Sequence, residues 1–435
     1  MDSTKPRRQL GLFDAIMIVM GGIVGAGIFA NPSEVAHRVH TPFLILGVWA
    51  AGGVLALFGA FIWAELSTRL PQAGGQYLYL REAYHPAVAF LYGWVLLLVT
   101  QTGGMAAVAV TFAFYFRRMT GIGMSDSAIA AIVLLGLTAI NCLGARAGSN
   151  LQSALMLLKT AAIAALVVVG LALGGGAIHS TPMVGQPVSF GLLKAIGAAM
   201  VPIAFAYGGW QTATFVAGEM RDPRRDLSRG LVAGVAGVVV LYLAVNVVCL
   251  RVLGPHGLDA TTTPASEVMR IALGDRGAQW IAIGIAVSTL GFLSQGVLTA
   301  PRVYYAMARD GLFFDRVARL SPKTGAPVTA IVLQGFASTL IACSGEYGQI
   351  LNFTITVDFI SFGMTAAALF VFRRRKQGKG SVATYLAPGH PYTTAIFVVA
   401  CAGIVGSAII ASPANSAIAL GILLAGIPVY WYWSR

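Results

Sequence analysis

Met20-Gly-Gly-Ile-Val-Gly-Ala-Gly-Ile-Phe-Ala-Asn-Pro-Ser33 lies near the start of the chain, inside an apolar run from about Leu10 to Ala36. The run exceeds the roughly 20 apolar residues that a helix needs to cross a bilayer. Its centre, however, holds Gly21, Gly22, Gly25 and Gly27, followed by Pro32. Glycine weakens a helix interior by about 1 kcal/mol each and proline by about 3. Clustered at mid-membrane, these residues predict a break, with backbone N–H and C=O groups unpaired around Val24 and Ile28. Such groups are tolerated at that depth only where they line a cavity or are buried in protein. A broken spanning helix is the usual pointer to a transporter's binding site. The competing reading is that small residues merely allow close helix packing.

The composition excludes a water-soluble protein. Hydrophobic residues make up 57% and charged residues 10%, against about 45–50% and about 25% in soluble domains. Twelve apolar stretches follow one another, at about 10–36, 42–68, 86–116, 126–143, 150–174, 190–218, 228–253, 277–306, 326–343, 348–372, 391–411 and 414–433. Residues 1–9 form a short basic tail, and the apolar run after it is too long for a signal peptide. With that tail inside, the outer loops hold only Arg38, Arg117, Arg118, Arg251, Arg270 and Arg276, and most of the other basic residues fall in inner loops and tails, Lys159 and Lys194 lying within stretches. This obeys the positive-inside rule. It predicts a multi-pass plasma (inner) membrane protein with both termini cytoplasmic. The net charge of +13 is therefore topological. Without interleaved aromatics it marks no nucleic-acid partner. Cys142, Cys249, Cys343 and Cys401 have no ligand-like spacing, so no zinc site or disulfide is implied.

The sixth stretch repeats the oddity of the first. Ala204-Phe-Ala-Tyr-Gly-Gly-Trp-Gln211 interrupts an apolar run, with Pro202 upstream and Thr212 and Thr214 downstream. Five stretches begin at each interrupted segment, and an odd number forces the second set into inverted orientation. The expected organisation is a first repeat at 10–174, a second at 190–372, and two peripheral helices at 391–433. Interrupted helices at matching positions of two inverted halves locate a substrate site.

Several stretches carry a family resemblance. They are Gly25-Ala-Gly-Ile-Phe29, Ala64-Glu-Leu-Ser-Thr-Arg-Leu-Pro-Gln-Ala-Gly-Gly-Gln-Tyr77, Phe205-Ala-Tyr-Gly-Gly-Trp210, Glu219-Met-Arg-Asp-Pro-Arg-Arg-Asp-Leu-Ser-Arg229 and Arg302-Val-Tyr-Tyr-Ala-Met-Ala-Arg-Asp-Gly311. In this order the chain resembles the amino acid–polyamine–organocation superfamily, and is most similar to its L-type amino acid transporter branch. The resemblance implies an all-α membrane protein of twelve helices, a LeuT-type five-plus-five inverted repeat with helices 1 and 6 broken, and alternating access. Branch members that pair with a glycoprotein heavy chain do so through a cysteine in the loop after the third span. The loop at 117–125 has none, so no disulfide-linked heavy chain is expected.

The breaks suggest their own chemistry. A half-helix starting near Gly27 presents free N–H groups and the positive end of a dipole to a carboxylate. Half-helices ending near Ile23–Val24 and Phe205–Ala206 offer carbonyls to an ammonium group. Together they describe an α-amino acid zwitterion, bound by Ile23, Val24, Gly25, Ala26, Gly27 and Ile28 with Phe205, Ala206, Tyr207, Gly208, Gly209 and Trp210. Phe205, Tyr207 and Trp210 read as gate or wall residues, or as ordinary packing aromatics. Lys159, within the fifth stretch, is costly to insert unless it snorkels. The resemblance places it where sodium-coupled relatives bind a cation, with Ser288 and Thr289 as candidate hydrogen-bond partners. Asp358 is the most conspicuous intramembrane acid, a functional suspect by default or a local cap. No acid falls in 20–29 or 204–215, so the cargo's side chain is expected to be uncharged, unless Asp358 reaches the pocket. Glu65 and Glu219 sit beside arginines and read as ion pairs. His37 and His40 lack a third ligand nearby. No convergent set suits an enzyme, and no cofactor is expected. The sequence thus reads as a sodium-independent carrier of neutral L-amino acids, by exchange. Proton symport, and cationic amino acid or polyamine cargo, are the alternatives.

Overall fold

Once water is excluded, long apolar segments satisfy their backbone groups as helices. The computed structural model describes residues 6–173, 189–344, 347–375 and 383–434. Among these it contains sixteen α-helices and no strand beyond a single bridge. The first span is split into α1 (Leu12–Ile23) and α2 (Gly27–Val39), bent by 44°. There follow α3 (Pro42–Arg69), the short α4 (Gln76–Ala83), and α5 (Pro86–Val95), which passes through a π-helical segment at Leu96–Gln101 into α6 (Thr102–Thr120). Then come α7 (Asp126–Cys142), α8 (Ala145–Leu173) and α9 (Phe190–Tyr207), the last continued by a 3-10 segment at Trp210–Glu219. The remainder is α10 (Ser228–Asp259), α11 (Pro264–Thr299), α12 (Pro301–Arg309), α13 (Val328–Ser344), α14 (Tyr347–Arg374), α15 (Tyr392–Ala411) and α16 (Pro413–Trp433).

Among the described residues nine segments are long and apolar enough to span a membrane, and the bent α1–α2 pair makes a tenth. The apolar helices α7 and α13, 17 residues each, fall at the fourth and ninth expected stretches. At 1.5 Å per residue they extend about 26 Å, the short end of what crosses a hydrocarbon core of about 30 Å. Lys5, Lys376, Lys379, Arg435 and the boundary at Gly174 lie outside the described residues.

The segment between the seventh and eighth stretches is helical, where a plain loop was expected. Gly254 (φ 67°) and Gly274 (φ 68°) bend α10 and α11, and the intervening turns are too polar to show an apolar signature. The third stretch is one continuous helical span, Pro86–Thr120, with the π-helical segment inside it.

α8 packs along α11, α3 along α10 and α14 along α15, while α1 touches α8, α10 and the Trp210–Glu219 segment. Large apolar side chains such as Val168, Trp280, Val399 and Ile410 stay exposed on the outside, as a lipid-facing surface requires. At the chain start the amides of Gln9 and Leu10 donate to Glu219 O (2.8 and 3.0 Å), and the Arg221 amide donates to Leu10 O (2.8 Å). The Glu219 carboxylate accepts from Arg302 Nε and Nη2 (3.1 Å each), with both side chains buried. Glu65 accepts from Arg69 Nε and Arg373 Nε (3.0 Å each) and from the Ala387 amide (2.8 Å). Both acids form ion pairs, Glu65 with its neighbour Arg69 and with Arg373, and Glu219 with Arg302 of α12 rather than with the arginines beside it in sequence.

Candidate functional site

α1 ends where Val24 turns extended (φ −75°, ψ 98°), and α2 begins at Gly27. The N–H groups of Gly25, Ala26, Gly27 and Ile28 have no acceptor among the described residues. The first N–H groups of any helix lack intrahelical partners, and here they coincide with the positive end of the dipole. A methyl group at Gly27 would come no nearer than 3.4 Å to a neighbour, the Asn31 amide nitrogen. There is room over this helix start.

At the second break Gly208 is extended and Gly209 adopts φ +113°, a conformation that suits glycine alone. A side chain on Gly209 would lie 2.0 Å from Gly22 O. The two breaks therefore touch, backbone against backbone. Both readings of the glycines hold, at different positions: Gly22 and Gly209 permit contact, whereas Gly25 and Gly27 leave space. Polar side chains pin the second break. The Gly209 amide donates to Gln211 Oε1 (3.1 Å), Thr212 Oγ1 donates to Gly209 O (2.6 Å), and Gln295 Nε2 donates to Thr212 Oγ1 (2.5 Å).

The carbonyls at the ends of α1 and α9 are not free, contrary to expectation. Fully buried Lys159 Nζ donates to Gly21 O (3.1 Å) and Val24 O (2.5 Å). Tyr242 OH reaches both Ile23 O (3.1 Å) and Ala206 O (3.2 Å), and the Gly208 amide donates to Phe205 O (3.2 Å). Ser288 and Thr289 do not bond Lys159. Ser288 Oγ donates to Gly25 O (3.1 Å), and Thr289 Oγ1 turns back to Ala286 O in its own helix (2.8 Å). A hydroxyl three residues from a helical carbonyl finds that local acceptor more readily than a distant cation. Three elements nonetheless converge on the break, with α8, α10 and α11 each holding a carbonyl between Gly21 and Gly25.

Beside these groups lies a cavity of about 150 Å³. Pockets for drug-sized ligands run about 300–1,000 Å³, so this one suits a smaller molecule. Of the residues expected at the site, Ile23, Gly25, Ala26, Gly27, Phe205, Ala206, Gly208 and Gly209 line it. Val24, Ile28, Tyr207 and Trp210 do not. Val24 and Ile28 point into the core. Tyr207 packs edge-on to Trp49 (5.8 Å between centroids) and against Tyr242 (5.1 Å). Trp210 packs with Trp63, Phe362 and Phe397. Helical periodicity explains the sorting, since neighbours on a helix cannot all face one cavity.

The sequence reading missed Thr100, Gln101, Gln211, Thr212, Phe292 and Gln295, all of which line the cavity. A usable signal existed for three of them, because Gln101, Gln211 and Gln295 are amide side chains inside apolar stretches. Asp358 lines the cavity too, and its carboxylate accepts from Thr100 Oγ1 (3.1 Å). No Lys, Arg or His lines it among the described residues. The arrangement offers donors for an anion at one end and an ionisable acid elsewhere.

The sequence model of the amino acid permease family matches residues 10–432. The serine/threonine exchanger SteT of Bacillus subtilis (strain 168) is 30% identical over 98% of this chain and 96% of its own length. The human b(0,+)-type amino acid transporter 1 is 30% identical over 85% of this chain and 77% of its own. The mouse large neutral amino acids transporter small subunit 2 is 27% identical over 99% of this chain and 82% of its own.

Proposed function

The chain belongs to the amino acid permease family, and we propose that it exchanges neutral L-amino acids across the plasma membrane by alternating access, without sodium. As a member it is a multi-pass membrane transporter of LeuT-type fold, not an enzyme. The observation that carries the reading is the set of unpaired N–H groups at 25–27, which borders a cavity of amino-acid size. The substrate carboxylate sits over the start of α2, where the dipole and the N–H groups favour an anion. Its ammonium takes the remaining lone pairs of Ile23 O and of the Phe205 and Ala206 carbonyls, each carbonyl oxygen having two. The side chain extends toward Phe205, which is about half exposed.

Sodium independence rests on Lys159. Its ammonium already holds two carbonyls at the end of α1, the service a bound cation would perform. Residues 10–174 and 190–372 act as the inverted halves, 391–433 as peripheral helices, and both termini face the cytoplasm. The loop at 117–125 has no cysteine, so the transporter works without a disulfide-linked partner. The named relatives include a serine/threonine exchanger and a transporter of large neutral amino acids, and the first of these supports an exchange cycle. Counterflow in proteoliposomes tests the proposal. Saturable uptake of labelled alanine, serine or leucine should require unlabelled amino acid inside, and should persist when choline replaces sodium. A strict sodium requirement, or ohmic current in place of exchange, would overturn it.

A further inference from the structure

Asp358 has no counterpart in the zwitterion-binding groups. It projects from α14 into the same cavity, whereas the groups proposed for the carboxylate and ammonium belong to α1, α2 and α9. One of its oxygens accepts from Thr100 Oγ1 at 3.1 Å, and the other has no donor among the described residues. Thr100 reaches this position from the π-helical segment at Leu96–Gln101, which also turns Gln101 to the cavity. Single π turns inside α-helices occur frequently at functional sites. Intramembrane acids otherwise pair with a base or face water, and no basic side chain lines this space among the described residues. Lys159 is spent on Gly21 O and Val24 O.

We propose that Asp358 and Thr100 form a second subsite, which takes a positively charged group at the far end of the cargo's side chain. The transporter then carries dibasic amino acids, with an ammonium or guanidinium terminus, in addition to neutral ones. This rests on reading the cavity as the amino acid site and revises the expectation of an uncharged side chain. That expectation counted acids only near the two breaks, and α14 supplies one from a third direction. A neutral cargo leaves Asp358 to water. A dibasic cargo brings the one charge that the cavity lacks, and charge-assisted hydrogen bonds are the stronger kind.

The test is competition against labelled alanine in proteoliposome counterflow, using lysine, arginine, serine and leucine as unlabelled competitors. The readout is the ratio of inhibition by lysine to inhibition by serine, measured within each protein preparation. In the parent, lysine and arginine should compete. In Asp358→Asn the lysine-to-serine ratio should fall by at least about tenfold, the scale of one lost hydrogen bond to a charged group. Asp358→Glu should keep part of the preference. Thr100→Val should shift the ratio in the same direction by less, and it serves where Asp358→Asn does not fold. Parental exchange of serine with no competition by lysine or arginine overturns the subsite and leaves the exchanger reading standing. An unchanged ratio in the folded variants overturns it as well, as does a change in pH profile alone, which would make Asp358 a proton site. No exchange of any amino acid by folded parent overturns both readings.

Discussion

At Gly27 an added Cβ makes only ordinary contacts, 3.4 Å from Asn31 Nδ2 and 3.5 Å from Ala206, and valine's methyl groups extend beyond it beside the unpaired N–H groups at 25–27. The Gly27→Val protein should therefore insert and fold while losing amino acid uptake. Near-parental counterflow from it would remove the start of α2 as the carboxylate site. Gly209 is the opposite case. At φ +113°, with Gly22 O 2.0 Å from any Cβ, even alanine forces the two breaks apart, and the loss should appear first in thermal unfolding. Overpacking of this kind typically costs about 1–3 kcal/mol before backbone strain is added. The aromatics divide in the same way. Phe205 lines the cavity, so Phe205→Ala should reorder small against bulky substrates in competition assays. Trp210 is 3% exposed among Trp63, Phe362 and Phe397, so Trp210→Ala should cost about 3–5 kcal/mol of stability. If Phe205→Ala keeps the parental ranking, that ring is packing as well. The sequence marked all four residues but could not sort them, because the partner across a contact is not written in a helix's own composition.

Among the elements, the two broken helices were legible because glycine pairs inside an apolar run leave few other solutions. The limits of the first break, Ile23 and Gly27, fall where the glycines placed them. The π-helical segment was not legible, since Leu96–Gln101 contains neither glycine nor proline and its register depends on neighbours. The helix α4 escaped notice for another reason, since it is short and no apolar run marks it, and the eighth stretch at 277–306 ran across the junction of α11 and α12 without showing it. Lys159 was visible as an anomaly, yet its contacts were not. It holds α8 to the end of α1 through Gly21 O and Val24 O, without help from Ser288 or Thr289. Lys159→Ala should thus loosen the break and depress uptake, with choline in place of sodium, at each of two pH values. Full activity in that variant would show that the ammonium only fills space.

For the molecule as a whole, alternating access requires one side of the breaks to be sealed while the other admits cargo. The start of the chain and the end of the 3-10 segment meet through the Leu10–Met220 bridge, and the buried Glu219–Arg302 pair lies beneath it. That pair joins the segment after the second break to α12, two elements far apart in sequence. Removing one partner strands a charge in an apolar setting, at a cost of about 3–5 kcal/mol, whereas replacing both by apolar groups is often neutral or stabilising. Arg302→Met alone should therefore lower thermal stability in detergent sharply. Adding Glu219→Leu should recover most of the loss, because the uncompensated carboxylate is gone. Transport should not recover with it. An apolar contact has no directional hydrogen bonds to make and break between two arrangements, so the double variant should be folded but slow in counterflow. Equal recovery of stability and exchange would assign the pair to folding alone. Recovery of stability without exchange would tie these two residues, and the chain start above them, to the closing of one side.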